Sequence, residues 1–233
     1  MRTVGIIPAR GGSKGLPRKN IRLLSGRPLL AWTADAAKAS TLARVILTTD
    51  DAEIAEVGRA AGLEVPFMRP AELALDTTPT LPVLQHAVGC LEAAGDRYDA
   101  IVLLEPTSPL RTSAMIDTCI ELLATTGADS VVTVLPVPPE HNPHWVYFRD
   151  ERGLLRLAMG EANPIGRRQD LPPAFHRDGQ IFAMKRDVLM EQGSLYGARL
   201  VGHIVDPALS LNIDTAEDWE RAEARIKGMV APC

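Results

Sequence analysis

The chain has 233 residues, 46% hydrophobic and 23% charged, with a formal net charge of -4; that is enough for one large globular domain and too acidic for a general nucleic-acid surface. Its three cysteines, Cys90, Cys119 and Cys233, are too few and too widely spaced for a disulfide framework or a zinc site, which fits the cytoplasm. No stretch approaches the roughly 18 apolar residues of a spanning helix, and none reads as a signal peptide, so no membrane contact is expected.

A buried parallel strand is predicted over 3–8, with Val4-Gly5-Ile6-Ile7 at its centre. It runs straight into Ile7-Pro8-Ala9-Arg10-Gly11-Gly12-Ser13-Lys14-Gly15-Leu16-Pro17-Arg18-Lys19-Asn20. Glycines there let backbone N–H groups approach phosphate oxygens, and the cations neutralise phosphoryl charge. From Ala9 to Arg27 the only charged residues are Arg10, Lys14, Arg18, Lys19, Arg22 and Arg27. A solvated basic loop would explain the charge but not the Gly11-Gly12 pair or its place behind a buried strand, so a small anion such as a triphosphate is the expected partner. The spelling is neither the Walker loop nor G-x-G-x-x-G, which removes P-loop kinases and classical NAD enzymes.

Helices are predicted over 28–39, 51–61, 79–94 and 113–126, and strands over 44–49, 64–67, 99–104 and 129–136. This is the alternation of an α/β fold with a mostly parallel central sheet. Within 79–94, Leu81, Leu84, Val88 and Leu91 share a helical face. Asp50 and Asp51 are expected to cap the helix at 51–61, with Glu53 completing a capping box. Open α/β sheets bind ligands beyond the carboxyl ends of their strands. The loops there are Arg69-Pro70-Ala71-Glu72-Leu73-Ala74-Leu75-Asp76 and Glu105-Pro106-Thr107-Ser108-Pro109-Leu110-Arg111. Arg111 has two readings, a brace for its own turn or a ligand contact.

After Pro136 the alternation breaks, and 138–180 reads as an excursion from the main domain. Its Trp145, Tyr147, Phe148, Leu154 and Leu155 need burial, either against a partner subunit or as a satellite cluster on their own. The same segment carries Arg167-Arg168-Gln169-Asp170-Leu171-Pro172, Asp178-Gly179 and the histidines His141, His144 and His176, whose spacing does not tie them to a ligand; His86 reads as structural. Asn212 and Asp214 alternate onto one side of an extended segment, as two ligands of one cation would. Asp214 reads equally well as the cap of a final helix over 215–227, where Thr215 and Asp218 stand at capping-box spacing.

These motifs together resemble the bacterial acylneuraminate cytidylyltransferases, or CMP-sialic acid synthetases, relatives of the CMP-Kdo synthetases. The likeness covers essentially the whole length, through the segments at 7–20, 69–76, 106–111, 167–172 and 212–219. It implies a single Rossmann-like nucleotidyltransferase domain over 1–233, with 138–180 as a dimerisation and substrate arm in a homodimer. The implied reaction joins CTP to a 2-keto sugar acid, sialic acid or a related nonulosonate, giving CMP-sugar and pyrophosphate with Mg²⁺ as cofactor. By motif position, Ala9, Arg10, Gly11, Ser13, Lys14, Lys19 and Asn20 would hold the triphosphate and ribose, with Arg69 and Thr80 on the nucleotide side. Arg10, Lys19 and Asp214 would carry catalysis, Asp214 and Asn212 would bind Mg²⁺, and Glu105, Arg167, Gln169 and Asp178 would reach the sugar acid. Many relatives have aspartate at the place of Asn212, glutamine at Glu105 and asparagine at Asp178, which opens legionaminic- and pseudaminic-type acids beside sialic acid. Competing readings are a cytidylyltransferase for Kdo or a phosphonate, and a non-catalytic nucleotide-sugar-binding protein; the presence of Arg10, Lys19 and Asp214 favours catalysis.

Overall fold

The computed structural model describes residues 1–13 and 15–230; Lys14, expected at the triphosphate, and Cys233 lie outside them. In chain order the elements are β1 (Thr3–Pro8), β2 (Leu23–Leu24), β3 (Arg27–Pro28), α1 (Leu29–Lys38), β4 (Arg44–Thr48), α2 (Ala52–Ala60), α3 (Thr80–Ala93), β5 (Ala100–Leu104), α4 (Ser113–Thr125), β6 (Ser130–Pro136), β7 (Tyr147–Arg149), β8 (Leu155–Leu157), β9 (Phe175–Lys185), α5 (Arg186–Met190), β10 (Leu200–Ile204) and α6 (Ala216–Val230). The main sheet has the order β10-β6-β9-β5-β1-β4. Strand β1 pairs in parallel with β4 and β5, and β10 with β6, while β9 runs antiparallel to both its neighbours. The expected α/β fold with a mostly parallel sheet is therefore present.

The two-residue period of the strands divides the core between the faces. Ile7, Val102 and Leu104 meet α1, α2 and α4 through Leu30, Ile54 and Ile116 on one face. On the other, Val4, Ile6, Ile101 and Leu103 meet α3 and α5 through Leu84, Val88 and Leu189. A third cluster joins Leu16 and the β2–β3 hairpin to α6 through Leu24, Ile213, Trp219 and Ile226. Cys119 lies in the first cluster, where burial pushes its thiol up to about 12, so it is core and not a nucleophile.

Three expectations need correction. The strand predicted over 64–67 is a single bridge between Glu64 and Ile46, because Pro66 has no N–H to continue a ladder. At α2 the cap is Asp51 alone, whose Oδ1 accepts from the Ile54 backbone N–H at 3.0 Å. Glu53 is one position too early for a capping box and pairs with Arg18, while Asp50 accepts from the Gly11 N–H at 3.1 Å. The expected excursion over 138–180 also overruns β9, which returns to the sheet at Phe175. Polar Arg177, Asp178 and Gln180 disguise this strand.

Between β6 and β9 the chain leaves the sheet for the short β7–β8 hairpin. Trp145 donates its Nε1–H to the Ile165 carbonyl at 2.6 Å. Phe148 and Leu155 stay 70% and 61% exposed, so the hairpin's apolar side does not fold back as a satellite cluster.

Arg111 settles as the brace. It is 4% exposed and donates to the Gln180 carbonyl at 3.0 Å, Thr33 Oγ1 at 3.0 Å and the Glu105 carbonyl at 2.5 Å, tying β9, α1 and the end of β5 together. Burial brings its pKa down to about 10, with Glu105 and Asp178 opposing the shift. Arg111→Leu leaves two buried acceptors and one partly buried acceptor unpaired and should lower the unfolding free energy by about 3 kcal/mol or more in urea titrations. An unchanged midpoint would show that the brace is dispensable.

Candidate active site

The parallel strands β1, β4 and β5 end at one edge of the sheet, and because β9 is antiparallel its N-terminal half reaches the same edge. A cleft of about 990 Å³ opens there. Its walls come from the loop after β1, the segment 69–80, the turn after β5, the start of β9 and the approach to α6.

The loop after β1 is pinned at both ends. Ala9 is fully buried and donates to the Thr48 carbonyl at 3.0 Å, so it extends the β1–β4 pairing and offers no side chain to a ligand. Asn20, 5% exposed, donates its Nδ2 to the Arg10 carbonyl at 3.2 Å and draws the loop into a closed shape. Arg18 adopts a left-handed conformation with φ 56° and is held by Asp51 and Glu53. The glycine at 15 is required sterically: a Cβ there would lie 2.5 Å from the Asp214 carbonyl oxygen.

That contact brings the two ends of the chain together. Lys19 Nζ donates to the Ile213 carbonyl at 2.8 Å and to Asp214 Oδ1 at 2.9 Å, across 195 residues. Its side chain is 14% exposed, whereas that of Asp214 is 62% exposed toward the cleft. The α6 cap is made by Thr215 and Asp218: Asp218 Oδ2 accepts from the Thr215 N–H at 2.8 Å, and the Asp218 N–H donates to Thr215 Oγ1 at 3.2 Å. These contacts hold the Asp218 carboxyl well below the usual carboxylate range. The side chain of Asp214 is therefore not the cap. It accepts from Asn212 Nδ2 at 2.7 Å, which sets the Asn212 amide beside the carboxylate. No group of three or more His, Cys, Asp or Glu able to hold a metal occurs among the described residues.

Other cleft groups are matched as closely. Arg10 Nη1 meets Asp76 Oδ1 at 2.6 Å, a partner the sequence places in the 69–76 motif without assigning it a role. Arg69, 6% exposed, donates to the Thr48 carbonyl at 2.5 Å and to Thr48 Oγ1 at 3.3 Å, and burial lowers its pKa. Thr80 begins α3 at the cleft wall, and Ser13 lines it as well. Burial pushes the Glu105 carboxyl above its ordinary range, against the attraction of Arg111, Lys19 and Arg69.

Asp178 lies in the cleft, but its carboxylate accepts from Thr133 Oγ1, the Gln180 N–H at 3.1 Å and Gln180 Nε2 at 2.5 Å, leaving little capacity for a ligand. Arg167 and Gln169 do not line the cleft. Arg167 is 69% exposed and forms a fork on Asp170 at 2.7 and 3.0 Å. His176 and Arg177 line the cleft instead. They precede Asp178 in β9, and only the strand that the sequence pattern conceals carries them there.

A cytidylyltransferase family model matches residues 4–191. The chain is 31% identical over 223 residues to post-translational flagellin modification protein B of Campylobacter coli, covering 95% of this chain and 93% of that protein. It is 32% identical over 226 residues to the CMP-N,N'-diacetyllegionaminic acid synthase of Legionella pneumophila, covering 96% and 95%. Among solved structures, a CMP:2-keto-3-deoxy-manno-octonic acid synthetase complexed with CTP superposes with a TM-score of 0.73 at 18% identity, covering 99% of this chain and all of that one, which supports the fold. With the family's match spanning most of the sheet and the loop after β1, the chain belongs to the cytidylyltransferases.

Proposed function

We propose that this protein joins the cytidylyl group of CTP to a 2-keto nonulosonic acid and releases pyrophosphate. The observation that carries the reading is the cation-lined loop after β1, docked through Lys19 onto Asp214 at the strand-end cleft of a cytidylyltransferase fold. The relative named for N,N'-diacetyllegionaminic acid makes that acid the first to try.

In this reading the anomeric hydroxyl attacks the α-phosphorus in line. Its oxygen–phosphorus bond forms, the bond from the α-phosphorus to the bridging oxygen breaks, and the hydroxyl proton is lost. The protein forms no covalent intermediate; it positions the reactants and neutralises charge. Arg10, Ser13 and the close backbone of Gly11 and Gly12 border the triphosphate, with Lys14 in the same role. Lys19 stabilises the departing pyrophosphate, Asn20 shapes the loop, and Arg69 and Thr80 border the nucleotide. Asp214 and Asn212 present one carboxylate and one amide oxygen, a sparse set that suits a Mg²⁺ whose other ligands are phosphate oxygens and water. Bound there, Mg²⁺ would supply neutralisation of phosphate charge. Glu105 stands where the sugar would lie, and Arg167 and Gln169 reach a sugar only from the opposite subunit of a dimer.

A homodimer belongs to the same proposal, and the exposed apolar side of the β7–β8 hairpin supports it. An isologous pairing of β7–β8 hairpins would cover Phe148, Leu154 and Leu155, which the single chain leaves in water.

Incubation with CTP, Mg²⁺ and a panel of 2-keto sugar acids, with pyrophosphate and product mass followed, should show conversion of a nonulosonate and preference for CTP over ATP, GTP and UTP. Conversion of none of the acids rejects the reading, and preference for Kdo redirects it within the family.

Lys19→Ala should lower turnover about a hundredfold, the usual worth of a charged donor aimed at developing phosphate charge. Asp214→Asn should nearly abolish turnover with an unchanged melting temperature. A destabilised Asp214→Asn protein that keeps full turnover at saturating Mg²⁺ would make Asp214 structural.

Light scattering at micromolar concentration should give twice the chain mass, and Phe148→Asp should shift it toward the monomer. A monomeric wild-type protein removes the arm from assembly.

A further inference from the structure

Among the described residues, the charge pattern of the cleft leaves one cation unexplained. Arg10 is matched by Asp76 and Lys19 by Asp214, while the guanidinium of Arg69 is spent on Thr48. Arg177 also lines the cleft, yet no carboxylate pairs with it among the described residues. Its strand, β9, lies two places along the sheet from β1, about 10 Å at the usual strand spacing. This cation therefore stands apart from the triphosphate loop.

An irregularity in β9 aims it there. Against β6, Phe182 pairs with Val132 and Arg177 with Val134, so five residues of β9 span the distance that two cover on β6. In a regular strand residues 177 and 182 would point to opposite faces. The bulge brings them together: the Arg177 guanidinium carbon sits 5.8 Å from the centroid of Phe182 and 5.6 Å from that of Tyr196. Arg177 Nη1 also donates to the Tyr196 hydroxyl. Two rings and a hydroxyl thus hold one edge of the guanidinium, and the remaining N–H donors are left for a planar anion.

We propose that Arg177, oriented by Tyr196, receives the carboxylate of the sugar acid. This rests on the cytidylyl-transfer reading above. The carboxylate of a 2-keto acid is borne by the carbon that carries the attacking hydroxyl, so a guanidinium fork on it sets that hydroxyl relative to the α-phosphorus. Arg177 binds, and Tyr196 is a positioning residue.

The test compares wild type, Arg177→Gln, Arg177→Lys and Tyr196→Phe in steady-state kinetics, using the nonulosonate the wild type converts and its C1 carboxamide. Arg177→Gln should raise KM for the acid about tenfold or more, as expected for losing a hydrogen bond to a charged group, with KM for CTP unchanged. It should also erase most of the wild-type preference for acid over amide. Arg177→Lys should recover part of the loss, and Tyr196→Phe should raise the acid KM severalfold at constant kcat. An unchanged acid KM in Arg177→Gln, or a rise in the CTP KM instead, overturns the assignment while leaving cytidylyl transfer intact. A wild-type protein that converts no sugar acid overturns the underlying reading and this assignment with it.

Discussion

The site depends on the docking of the loop after β1 onto the segment before α6. Lys19 supplies the polar part of that contact, and a small apolar cluster supplies the rest, with Leu16, Ile213 and Trp219 all buried. At roughly 1.5–3 kcal/mol for each large apolar side chain buried, the packing outweighs the partly exposed ion pair as a source of stability. Arg22 lies 4.6 Å above the Trp219 ring and extends the seam. A side chain at position 15 would hold the surfaces apart, since the backbone of Asp214 occupies that space. The glycine at position 15 therefore serves contact with the protein itself.

Charge matching gives the cleft its chemistry. Bringing several cations together is unfavourable unless each has a counter-charge, and Asp76 and Asp214 provide it for Arg10 and Lys19. A triphosphate would enter by exchanging partners, taking the cations over and freeing an exposed carboxylate at the mouth of the cleft. Beneath this exchangeable layer, Arg111 is fixed by three acceptors and keeps the ends of β5 and β9 in register. Mobile charge thus stands on a braced floor.

Much of this was legible in the chain. Strong aliphatic runs such as Ala100–Leu104 declare buried strands, and the helical face of α3 follows from its spacing. The first loop announced itself through Arg10, Gly11 and Lys19. What stayed hidden was β9, since a bulge breaks the two-residue alternation from which strands are read and fills the strand with polar residues. His176 and Arg177 went unassigned for that reason. The partners of Arg10 and Lys19 are set by tertiary contact, so no local pattern could reveal that the Asp214 side chain leaves capping to Thr215 and Asp218. Asp178 reads as a free carboxylate in sequence, but within β9, beside the positive-φ Gly179, it accepts from Thr133 and Gln180.

Whether the cleft directs an anomeric hydroxyl at the α-phosphorus of CTP is read most directly by oxygen tracing. With ¹⁸O in the anomeric hydroxyl of the sugar acid, the label should appear in the CMP-sugar, in the oxygen bridging sugar and phosphorus, and shift the ³¹P resonance of that product. None should reach pyrophosphate. Label recovered in pyrophosphate, or a CMP-sugar whose bridging oxygen comes from the nucleotide, would contradict attack at the α-phosphorus.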